Sequence, residues 1–70
     1  MYKVQSKNLK WHEVINELPV AVDNWVLVYM ETANGRYRKG GFYYSGGKPV
    51  FVSYGIEVLD VVRWAYTGGR

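Results

Sequence analysis

The 70-residue chain has no cysteine, one histidine and two prolines. Without cysteine there is neither a disulfide nor a thiolate metal site, the two staples on which many domains of this size depend. The single histidine, His12, cannot by itself supply a nucleophile's base together with the group that orients it. The sequence therefore predicts a non-enzyme with no catalytic residue, no metal and no cofactor. The acids Glu13, Glu17, Asp23, Glu31, Glu57 and Asp60 are scattered, with only Glu13 and Glu17 spaced to share a helix face, and they read as solvating charges. Asp60, at the start of an apolar segment, has the strongest claim to burial, where a hydrogen bond to a turn is its expected role.

Long apolar runs are also missing. The longest, Trp25 to Met30, falls far short of the roughly 20 residues that a membrane-crossing helix needs. Nothing after Met1 has the charged, then apolar, then small-residue order of a secretory leader. With cysteine absent as well, the expectation is a cytoplasmic protein with no membrane partner.

Aromatic residues, by contrast, are abundant: three Trp, seven Tyr and two Phe make up 17% of the chain. Each ring can bury about 150 to 250 Å². That is the main resource of a single domain spanning residues 1–70, since a chain so short buries only roughly 60% of its unfolded surface. The net charge is +3, which permits an anionic partner and argues against acidic mimicry of nucleic acid.

Residues 1–10 read as a loose arm or edge strand. Trp11, Val14, Ile15 and Leu18 recur at helical spacing, with Asn8 as cap and Pro19 as stop, and His12 falls on the outward side as a solvated histidine. Asn24 to Thr32 is apolar on both alternating sides and predicts a central strand covered on both faces. Ala33-Asn34-Gly35 then supplies a tight hairpin turn. Arg36 to Ser45 follows, with Tyr37 and Tyr43 on one parity, Arg36, Arg38, Phe42 and Tyr44 on the other, and a bulge or bend at Gly40-Gly41.

A second turn at Ser45 to Pro49 leads into a strand over Val50 to Tyr54, interrupted by Gly55. In the last strand, Leu59 to Tyr66, the residues Leu59, Val61 and Ala65 oppose Val62, Trp64 and Tyr66; a frayed tail occupies 67–70. The expected fold is mainly β, at most a small α+β: about four strands in a curled antiparallel meander with one short N-terminal helix. The glycines join strand to strand and so belong to turns, whereas a phosphate-binding loop runs from a strand into a helix.

Between Thr32 and Ile56 the chain carries Arg36, Arg38, Lys39 and Lys48 with no acid, and interleaves the rings Tyr37, Phe42, Tyr43, Tyr44 and Tyr54. Three readings fit. Arg36, Tyr37, Arg38, Tyr43 and Tyr44 suit a protein interface, where Tyr and Arg are enriched. The same rings with Lys39 and Lys48 on phosphates suit a nucleic-acid-binding sheet. A solvated hairpin with one buried side has the same composition.

The spacing Trp11-x-x-Val14-x-x-x-Leu18-Pro19, then Val26-Leu27-Val28, Gly41-Phe42-Tyr43 and Val61-Val62-Arg63-Trp64, resembles a family of short phage and prophage proteins of unknown function. Its members open with W-x-x-V-x-x-x-L-P, pass through a V-L-V strand and close on V-T-H-W-M-P-L-P. Arg63 stands where that family has His, and Ala65-Tyr66-Thr67-Gly68 replaces its Met-Pro-Leu-Pro ending. The resemblance implies a phage accessory protein that binds a host protein, such as a defence or replication component. It also implies a structural pairing of Trp11 with Trp64. A homo-oligomer is a further expectation, because a copy of the chain can cover an open sheet edge or aromatic patch on so small a domain.

Overall fold

The computed structural model describes residues 9–67. They form one antiparallel sheet of six strands: β1 (His12–Glu13), β2 (Val26–Thr32), β3 (Tyr37–Ser45), β4 (Lys48–Ser53), β5 (Ile56–Glu57) and β6 (Val61–Tyr66). The spatial order is β1-β6-β2-β3-β4-β5. Strands β2 to β5 follow one another through hairpins, and β6 returns across the sheet to lie beside β2, which is therefore central. The mainly β, antiparallel expectation holds, with six strands in place of four.

No α-helix occurs among the described residues, and the helix expected at Trp11 to Leu18 is replaced by the short strand β1 and a turn. His12 and Glu13 pair with Trp64 and Arg63. The Glu13 carbonyl then accepts from the N–H groups of Asn16 at 3.0 Å and Glu17 at 3.1 Å. Two turns of helix are too short to stand alone, and the edge of β6 offers these backbone groups partners instead. Val14, Leu18 and Ala21 pack on the core, but Ile15, which shares their helical period, is 89% exposed. His12 is not a solvated surface residue either: its ring stacks on Trp64 at 4.5 Å, and its Nδ1 lies 3.4 Å from the Glu17 carboxylate. Asn8, most of the arm at 1–10 and residues 68–70 of the expected frayed tail lie outside the described residues.

Val28, Met30, Phe42, Phe51 and Trp64 are buried together on the inner face of the sheet. Strand register assembles them, since Met30 lies opposite Trp64 and Phe42 opposite Phe51. The strap between β1 and β2 closes over them. Trp64 donates its indole N–H to the Glu17 carbonyl at 2.9 Å, and the Tyr66 hydroxyl accepts from the Val20 N–H at 2.9 Å. Near the end of the strap, a single 3-10 turn at Val22–Asn24 carries positive φ at Asp23 and Asn24, residue types that tolerate it. The Asn24 amide then donates to the Tyr44 carbonyl at 2.9 Å and accepts from its N–H at 3.0 Å, pairing with β3 as a neighbouring strand does.

Gly40-Gly41 is not a bulge, because β3 keeps an unbroken register with β2 through both glycines. The glycines answer to close approach instead. A Cβ on Gly40 would stand 1.9 Å from the Val52 carbonyl oxygen, and one on Gly41 would stand 2.0 Å from Cη2 of Trp25.

The irregularity lies in β6, where Glu31 faces Arg63 but Thr32 faces Val61, leaving Val62 as the extra residue. Val61 consequently packs on the same core as Trp64, reversing the alternation expected before the bulge. Leu59 and Asp60 are both exposed, so Asp60 is not buried; its backbone carbonyl accepts from the Ala33 N–H at 2.9 Å.

At the β3–β4 turn Gly46 and Gly47 both take positive φ, as a two-residue hairpin loop requires. The β2–β3 loop differs, in that only Gly35 is left-handed there while Thr32 N–H donates to Arg36 O at 2.9 Å.

Candidate protein-binding face

Alternation along β2 directs Leu27, Tyr29 and Glu31 away from the core residues Val28 and Met30. Register aligns Gly41, Lys39 and Tyr37 of β3 beside them, and Ala65 and Arg63 of β6 on the other side. Tyr43, Val50 and Val52 continue this outer face across β3 and β4. The ring of Trp25 lies across Gly41 and stacks with Tyr43 at 6.0 Å and 28°. Tyr37 meets the Trp11 ring at 5.6 Å, and Lys39 Nζ stands 5.9 Å from the centre of the Tyr29 ring.

Full burial on both sides of the central strand was expected, but only the inner side is covered. Trp25 is 50% exposed, Leu27 41% and Tyr37 46%, and together with Tyr43 they leave an aromatic and aliphatic band open to solvent. Among the described residues, no segment corresponding to the strap crosses this face.

One end of the band is closed by charge. Arg63 Nε lies 2.7 Å from Glu13 Oε2, and Arg63 Nη1 lies 2.7 Å from Glu31 Oε1. The register makes this bridge, since β1 brings Glu13 and β2 brings Glu31 directly opposite Arg63 from either side. The hydrogen bond that Arg63 donates to Glu31, then that to Glu13, raises the Arg63 pKa above its ordinary value, so the guanidinium is held charged. Its charge is already matched by two carboxylates.

The seven residues singled out from sequence do not form one surface. Tyr37, Lys39 and Tyr43 share the outer face, and Lys48, opposite Ser45, carries the same parity at its far end. Tyr37 and Tyr43 are about 20 Å apart at the usual strand rise, with Trp25 and Leu27 filling the interval. Arg38 lies opposite Met30 and Tyr44 opposite Pro49, so both take the inner parity and emerge at its margins. Arg36 belongs to the loop before β3.

Trp25 and Leu27 were missed as surface residues. Their alternation is legible in the sequence, but which side of β2 the strap covers is not. Arg63 was missed because its partners are 50 and 32 residues away.

Among the described residues no three His, Asp or Glu side chains gather as a metal-binding group. The open band offers burial, ring contacts and hydrogen bonds from tyrosine hydroxyls. Comparison of the chain with protein-family models, with curated proteins and with solved structures finds no match.

Proposed function

We propose that this chain is a non-catalytic phage or prophage accessory protein that binds a host protein, with defence and replication components as candidates, through the outer face of its sheet. The observation that carries the binding mode is the half-exposed cluster of Trp25, Leu27 and Tyr37 beside Tyr43. Large rings on a rigid sheet lose little side-chain entropy on binding, and Trp and Tyr are the residues around which interface energy concentrates. Arg36 supplies a cation at the rim, while Arg38 and Tyr44 belong to the other side. The phage setting rests on the sequence boxes alone.

Nucleic acid is the second reading, supported by the Trp25–Tyr43 stack beside Lys39 and Lys48. Protein is favoured because Glu13 and Glu31 stand on the same face and already hold Arg63.

The test is affinity capture from a host lysate with the partner identified and its binding repeated with purified proteins. Leu27→Asp combined with Tyr43→Ala is expected to abolish that binding while circular dichroism shows the sheet intact. Unchanged binding by this variant removes the outer face from consideration. Steeply salt-dependent binding of single-stranded oligonucleotides, lost in Lys39→Glu with Lys48→Glu, would instead favour the second reading.

A further inference from the structure

A different surface lies beside β5, the last strand of the sheet. The turn from β4 to β5 places Tyr54 at φ +54°, a left-handed conformation that costs a side-chain-bearing residue about 1 to 2 kcal/mol. No burial offsets this within the chain, because Tyr54 is 92% exposed. The two-residue loop Tyr54-Gly55 requires this conformation, as Gly46-Gly47 does, but the turn itself gives no reason for an aromatic side chain there. Ile56 at 70% and Leu59 at 84% exposure stand with it. Together with Arg38, Glu57 and Asp60 these three line an open groove of about 350 Å³. Among the described residues neither Arg38, Glu57 nor Asp60 makes an ion pair.

We propose that this groove docks a second copy of the chain in a two-fold symmetric dimer. A two-fold interface must be complementary to itself. This one carries both signs of charge beside apolar side chains, so a two-fold arrangement can set Arg38 of one copy against Glu57 and Asp60 of the other, with Tyr54, Ile56 and Leu59 supplying apolar contact. A nucleic acid meets two carboxylates here, and a partner of one charge sign leaves either Arg38 or the two carboxylates unmatched. An interface of standard size takes about 800 Å² from each partner, roughly a sixth of the 5007 Å² this chain exposes, so the contact extends over the whole groove and not the Tyr54 tip alone. Arg38 and Ile56 carry the inner parity, opposite to Leu27 and Tyr43, whereas Glu57, opposite Val52, carries the outer parity at the β5 edge; Ile56→Lys is therefore the variant that tests this dimer apart from the host-protein face.

Sedimentation velocity on the full chain, from low micromolar to near-millimolar concentration, reads the proposal directly. The wild type is expected to shift from monomer to dimer, and Ile56→Lys to remain monomeric. Tyr54→Gly, which removes the ring and relieves the backbone, is expected to weaken the dimer about tenfold or more without lowering Tm. Arg38→Glu and the double variant Glu57→Lys/Asp60→Lys are each expected to be monomeric alone and to pair when mixed, because both charge contacts become attractive again. A wild type that is monomeric throughout, a dimer indifferent to Ile56→Lys, or a mixture that fails to pair overturns the proposal.

Discussion

On the inner face of the sheet Trp64 is wholly buried and its indole N–H is bonded to the Glu17 carbonyl; on the outer face Trp25 lies half exposed across a glycine. Both faces are made of alternating strands rich in the same rings and branched chains. What separates them, among the described residues, is the strap between β1 and β2, whose Val14, Leu18 and Ala21 lie against the inner side. Burial here is decided by which side of the sheet the chain happens to cross, and residue type alone does not predict it.

The contrast breaks most sharply at the two tryptophans. Trp64→Ala removes a fully buried ring and is expected to cost about 3 to 5 kcal/mol, close to the whole stability of a domain this small. Trp25→Ala is expected to cost about 1 kcal/mol, and urea denaturation of the two variants side by side measures the difference. The adjacent glycines give a smaller version of the same comparison. Gly40→Ala drives a Cβ into the Val52 backbone and is expected to cost about 1 to 3 kcal/mol, whereas in Gly41→Ala the Cβ first meets the ring of Trp25, which can swing outward. Tryptophan emission shifting to the red in Gly41→Ala, with little change in the denaturation midpoint, is the expected signature.

A gain of about 0.5 kcal/mol is expected for Tyr54→Gly, the relief of left-handed strain being partly offset by the greater freedom of glycine in the unfolded chain. Thermal melts of the variant at a concentration where the chain is monomeric measure it.

The smallest effect belongs to Arg63. Its pKa is raised in the folded state, so its contribution is fully present at every pH below the ordinary arginine value. That contribution is lost only as the pH rises through the still higher folded value. Arginine titration thus leaves stability flat across the neutral range, and salt is the effective handle. Arg63→Gln is expected to lower Tm slightly at low salt, with the deficit shrinking as salt is added.

Much of the sheet was legible along the chain. Asn24 to Thr32 announced β2 by its apolar residues on both parities, and Gly46-Gly47 announced the β3–β4 turn because two consecutive positive φ angles suit glycine. The segment Trp11 to Leu18 misled for a physical reason. Its apolar residues recur at helical spacing, yet a covering strap needs only enough of them to touch the sheet, and Val14 and Leu18 do so without a helix. Gly40-Gly41 misled in a similar way, since crowding from Val52 and Trp25 selects glycine as firmly as a bend does. Of the candidate site, the shared parity of Tyr37 and Tyr43 was readable from their spacing. The contributions of Trp25 and Leu27, and the capture of Arg63 by Glu13 and Glu31, depend on cross-strand register that local sequence does not carry.

The extra residue in β6 gives that strand two reading frames. Val61, before it, and Trp64 and Tyr66, after it, all point inward only because Val62 is spent on the change of phase. Removing one residue there deletes no atom of the buried cluster, but it forces a choice between Val61 and Trp64 as the inward side chain. A deletion at Val62 is therefore expected to rival the loss of Trp64, whereas a residue inserted between Ala33 and Gly35, at an exposed loop tip, leaves every phase in the sheet as it was.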